Sequence, residues 1–110
     1  NPFATLGNIL VDVRKGAFSN NAALVLTDFQ AAASKPAVMT ITNNPVSGWY
    51  SKAMAAANFV YINKVGLTQF RLRFALDDND DMSPDYLKFY SGNYATAVYR
   101  PTLIITYYAP

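Results

Sequence analysis

Four carboxylates fall within the five residues Asp77-Asp78-Asn79-Asp80-Asp81, and like charges that close repel one another unless water or a cation neutralises them. Asp77, Asn79 and Asp81 stand at positions 1, 3 and 5 of a calcium loop, with Ser83 and Asp85 at 7 and 9, a spacing of hard oxygen donors that suits Ca²⁺. Met82 occupies the place of the turning glycine and Lys88 that of the closing glutamate, so the run is not an EF-hand. Two readings stay open: an irregular Ca²⁺ loop held by Asp77, Asn79, Asp81 and Asp85, or a solvated acidic turn offset by Arg71 and Arg73. A glycosidase pair is not expected, because two carboxyls must face one cleft and adjacent residues on a turn provide none.

Arg71 and Arg73 alternate with Gln69 on one strand face, and guanidinium forks suit carboxylates, so the same pair could take an acidic glycan. The chain carries eight Tyr, seven Phe and one Trp, a supply of rings that can lie on a sugar or fill a core. Trp49-Tyr50 after the Ser47-Gly48 turn, and Tyr94 and Tyr99 around the loop after Gly92, are the ligand candidates, since they fall near strand ends. For Trp49 the alternative is a buried sandwich tryptophan, and for each Tyr it is packing with a wet hydroxyl.

The chain has no His and no Cys, and all seven acidic residues are Asp. Catalytic triads, thiol nucleophiles and His or Cys zinc sites are thereby excluded, and the expected function is not enzymatic. With 52% hydrophobic and 15% charged residues, the 110-residue chain suits one folded domain, residues 1–110, rather than a disordered tail. No apolar run approaches the ~18 residues of a membrane span. The nine basic residues are scattered and the pI is 8.9, which lacks the clustering expected of a nucleic-acid binder.

These groups need strands to position them. Over residues 68–76, Phe70, Leu72, Phe74 and Leu76 alternate with Gln69, Arg71 and Arg73, the pattern of a half-buried strand. Residues 102–108, apolar on both faces after Arg100-Pro101, predict a final strand that is covered on both sides. Further strands are predicted at 8–14, 22–26, 37–42, 49–54 and 86–90. Seven short strands imply an all-β antiparallel jelly-roll-like sandwich. One short helix is predicted over 28–34, from the Thr27-to-Gln30 capping box and Ala31-Ala32-Ala33, ending before Pro36. Phe70, Phe74 and Phe89 are expected in the core.

The stretches Gly66 to Phe74, Asp77 to Asp81, Tyr86-Leu87-Lys88-Phe89-Tyr90-Ser91-Gly92 and Arg100-Pro101-Thr102-Leu103-Ile104-Ile105-Thr106-Tyr107 resemble the C-terminal part of DNRLRE-type domains. That resemblance implies a jelly-roll-like sandwich in a large secreted or surface protein, often beside polysaccharide-acting or adhesive modules. The family's namesake run is absent, and its domains are longer, so the resemblance implies a domain lacking its first strands. An incomplete sandwich exposes ladder groups, which predicts incomplete pairing at residues 8–14 and 102–108.

The expected function is a non-catalytic extracellular or cell-surface module that binds a polysaccharide or cell-surface glycan or mediates adhesion. Its alternative is a structural subunit of an extracellular filament or surface assembly, held to copies of itself or to neighbouring domains by inter-chain strand pairing.

Overall fold

In the computed structural model, which describes residues 1–109, three strands form one antiparallel sheet: β1 (Ile9–Lys15), β2 (Lys35–Ile41) and β3 (Thr68–Phe74), in the spatial order β2-β1-β3. The predicted strands at 8–14, 37–42 and 68–76 therefore form, with ends shifted by a residue or two. β1 takes the centre because its sequence is fit for burial on both faces. Ile9, Val11 and Val13 line one side and are buried, and Asp12, also buried, points to the other. Val11, Val13 and Val38 make the core, against which Met39, Ile41, Met54, Tyr61 and Phe70 pack.

β3 runs along β1 in unbroken register from Ile9↔Phe74 to Lys15↔Thr68. β2 does not: it pairs Val11↔Met39 and then Val13↔Lys35, so four steps of β2 oppose two of β1. That bulge contains Pro36, which donates no ladder bond, and Ala37, whose φ of 50° lies in the left-handed region that non-glycine residues avoid.

The fold is thus mostly β, with one three-stranded antiparallel sheet and few helices. Residues 22–26, 49–54, 86–90 and 102–108, predicted as strands, form none. Loops lie over part of each face, the segment from Phe18 to Ala31 over Asp12 and Met54 with Tyr61 over the valines, while Leu72 on the valine face stays half-exposed, and the remaining segments add no second layer. Residues 102–108 are exposed rather than covered, and Phe89 lies outside the core. The expectation of incomplete pairing at residues 8–14 is also corrected, since β1 has a partner on each side.

The helix predicted over 28–34 is replaced by a 3₁₀ turn, Leu26–Phe29. Arg71 holds the segment in another shape: its Nη1 donates to the carbonyls of Asp28 and Ala31, at 2.7 and 2.8 Å, and the Asp28 carbonyl is one that an α-helix over 28–34 would use. Among the described residues the α-helical segment is instead α1 (Pro2–Thr5), capped by the Asn1 side chain, which accepts from the Phe3 N–H. Gly7, at φ +79°, turns α1 into β1, and a Cβ there would stand 3.1 Å from that of Ala75. No helix among the described residues is long and apolar enough to cross a membrane.

Candidate functional site

Asp12 is fully buried and anchors the polar face of the sheet. Arg71 lies directly opposite it on β3, and Arg73, two residues on, shares that face as its diagonal neighbour. Arg71 donates to Asp12 Oδ2 through Nε at 3.0 Å and Nη2 at 2.7 Å. Arg73 Nε donates to the same oxygen at 2.9 Å and its Nη2 to Oδ1 at 3.2 Å. The Ala37 N–H, exposed by the bulge in β2, completes the set with a 2.8 Å bond to Oδ1. Burial alone would raise the Asp12 pKa. The hydrogen bonds from Arg73, the Ala37 N–H and Arg71, with the positive charge of Arg73, outweigh it and hold the carboxyl below its ordinary value.

Arg71 also ties down the loop above it. Its guanidinium carbon sits 4.6 Å from the centre of the Phe18 ring while Nη1 holds the two loop carbonyls. Asp28 in that loop accepts from the Val25 N–H through Oδ2, and its Oδ1 is buried without a partner among the described residues. The two arginines expected either to bind an acidic glycan or to offset the acidic loop are therefore committed to Asp12, which neither reading considered.

The acidic loop is organised around Asn79. Its Nδ2 donates to Asp81 Oδ2 at 3.0 Å and to Asp85 Oδ2 at 3.1 Å, so a neutral amide bridges two carboxylates. Thr5 Oγ1 donates to Asp85 Oδ1 at 2.8 Å, fastening the loop to α1. Asp77 makes no hydrogen bond to this group among the described residues. Asp78 and Asp81 accept from the backbone N–H two residues ahead, at Asp80 and Ser83. Among the described residues no three acidic side chains converge closely enough to hold a metal ion.

The aromatic candidates separate into two places. Tyr50 stacks on Phe3 at 5.6 Å and meets Phe89 edge-on, while Phe3 meets Phe74, so Tyr50 belongs to packing at one end of the sheet. Its hydroxyl donates to Asn43 Oδ1. Trp49 is exposed and closes a tight turn, exchanging backbone hydrogen bonds with Val46, which corrects the expectation of a buried tryptophan. Tyr94 and Tyr99 come together with Tyr90, which sequence reasoning did not select. Tyr90 lies 4.4 Å from Tyr94 and 5.2 Å from Tyr99 between ring centres. All three rings are exposed, and none of their hydroxyls has a protein partner among the described residues. Arg100 Nε donates to the Tyr94 carbonyl at 2.6 Å, pinning the loop that carries them.

Asp12 is not among the residues selected from sequence; its signal is one carboxylate between Val11 and Val13 in a strand whose first five residues are otherwise apolar. Tyr90 shares its patch with residues four and nine positions on, a spacing that becomes meaningful once the Tyr94 loop folds back. No protein family matches the chain, and neither the curated proteins nor the solved structures contain a match to it.

Proposed function

We propose that the chain is a non-catalytic extracellular or cell-surface module that binds polysaccharide through the Tyr90-Tyr94-Tyr99 patch. The carrying observation is that three contacting rings stay in solvent with unpartnered hydroxyls, apolar faces and polar tips that suit stacking on a sugar and hydrogen bonding to its hydroxyls. The resemblance to DNRLRE-type domains supports the same reading, with the sheet as one layer of a jelly-roll-like sandwich. On this reading Arg71 and Arg73 are structural, and the site has no intrinsic preference for acidic glycans. Tyr94→Ala and Tyr99→Ala should each weaken binding on a glycan array by about tenfold, the worth of one aromatic contact. Wild-type protein that retains no glycan, or variants that bind like it, would overturn the proposal.

Ca²⁺ belongs to the proposal as a stabiliser of the acidic loop. Asn79, Asp81 and Asp85 already gather their side chains, and rotation of the Asn79 amide would present oxygen in place of nitrogen to a cation between them. Asp77 would have to swing in as the fourth donor. Ca²⁺ at 100 times its Kd should stabilise the fold by about 2.7 kcal/mol, raising Tm by several degrees, and Asp85→Asn should remove most of that rise. A Tm equal in chelator and in millimolar Ca²⁺ would rule the metal out.

The alternative, a subunit of an extracellular assembly, is favoured by a different observation: residues 102–108 are exposed and form no strand.

A further inference from the structure

The two outer edges of the sheet differ. In an antiparallel ladder, the residues of a strand alternate between bonding the neighbour on one side and presenting N–H and C=O to the other. The Ala75 N–H donates to the Asn8 carbonyl and the Gly16 N–H to the Leu67 carbonyl, which fixes the phase of the β1–β3 ladder. Gln69, Arg71 and Arg73 bond β1, and the backbone groups of Phe70, Leu72 and Phe74 point away from the sheet. None of those three has a backbone hydrogen bond on that side among the described residues. β3 carries no proline and no bulge, and Leu72 at its middle is 51% exposed.

β2 is guarded by the devices that keep edges from pairing: Lys35, Pro36, a bulge and a residue at positive φ. β3 has none of these, so it is the edge at which another strand can add.

The same chain also carries a strand without a sheet. Residues 102–108 match β3 in length, seven residues each, and alternate Leu103, Ile105 and Tyr107 with Ile104 and Tyr108, apolar on both faces. Ile104 is 84% exposed and Tyr108 fully so, and the segment gives no backbone hydrogen bond to any strand. Its root is fixed by the Arg100 bond to Tyr94 and the Tyr90-Tyr99 stack, and beyond it Leu103, Ile104, Ile105, Tyr107 and Tyr108 are all exposed. The radius of gyration, 15.2 Å, accordingly exceeds the ~13 Å expected of a compact chain this long.

We infer that the outer edge of β3 accepts residues 102–108 of a second copy of this chain. The added strand satisfies the N–H and C=O groups of Phe70, Leu72 and Phe74 and lays an apolar side chain beside Leu72. Because each copy has one such edge and one such segment, the contact is head-to-tail and propagates unless the ends close into a ring. This rests on the assembly reading and is independent of the glycan patch.

The chain has no cysteine, which allows a direct test. Full-length Leu72→Cys and Ile104→Cys proteins are mixed under mild oxidation. The expected product is the mixed disulfide, in large excess over either homodimer. Sedimentation velocity should show mass rising with concentration in the wild type, and Ile104→Pro, in a segment unpaired within the single chain, should weaken association by at least about tenfold, the worth of one to two lost hydrogen bonds. Glycan binding read on the Ile104→Pro protein separates a failure of this inference from a failure of the patch. A wild type that stays monomeric at about 100 times the concentration of an ordinary micromolar complex, or homodimers alone, would overturn it.

Discussion

Asp12→Ala should destabilise the chain by about 3–5 kcal/mol, the cost of removing one partner from a buried ion pair and leaving the other charge uncompensated. Two guanidinium groups and the Ala37 N–H would lose their acceptor at once. Against a total stability of about 5–15 kcal/mol for a domain, that loss puts much of the population in the unfolded state, and urea denaturation followed by tryptophan fluorescence would read it. Asp12→Asn keeps the shape and one acceptor and should fall between. Replacing Asp12, Arg71 and Arg73 together by Val, Met and Leu should recover part of the loss, because no charge is left buried, while the Ala37 N–H and the Asp28 and Ala31 carbonyls lose their partners. A cost below about 1 kcal/mol for Asp12→Ala would mean that the carboxylate is solvated rather than paired. The pH dependence has a definite sign. The folded-state pKa lies below the unfolded value, so the contribution of Asp12 is fully present above the unfolded pKa of about 3.9 and is lost as pH falls through the lower folded value. Wild-type stability should drop in that acid window by an amount missing from Asp12→Asn.

The second large effect separates two arginines that look equivalent in sequence. Arg71→Ala should cost about 2–4 kcal/mol, because its side chain, 20% exposed, holds Asp12, two loop carbonyls and the face of Phe18 together. Arg73→Ala should cost about 1 kcal/mol, since its side chain is 40% exposed and Arg71 still compensates Asp12. Arg71→Lys would not rescue, because one ammonium cannot span the carboxylate and both carbonyls. Limited proteolysis gives an independent readout: cleavage near Asp28 to Ala31 should accelerate in Arg71→Ala and not in Arg73→Ala. Equal effects of the two substitutions would contradict the division of roles.

The sequence displays alternation most plainly at β3. Residues 68–76 show a clean change of face at every step, and β3 follows it. What was not legible is pairing. Residues 102–108 are as strand-like as any segment, yet strand propensity expresses itself only beside a partner, and within the single chain this segment reaches none. The capping box at Thr27 predicts a helix, and a side chain 43 residues beyond Asp28 takes a carbonyl that the helix would use. The acidic run was conspicuous because its charges are adjacent in sequence. Asp12 was not, because its counter-charges are brought to it only by the sheet.

That long separation also governs how the molecule is assembled in time. Asp12 and its guanidinium partners are 59 and 61 residues apart, and β3 must cross most of the chain to reach the other side of β1. The β1–β2 pair, closer in sequence, can form early with the carboxylate still in water. Docking of β3 is then the step that dries the charge and closes a long loop, placing both costs at one barrier and favouring slow folding typical of non-local topologies. During synthesis, the first strand pair waits with an open side at β1 until residues 68–74 have left the ribosome, and that interval is when the nascent chain is most exposed to pairing with a neighbour.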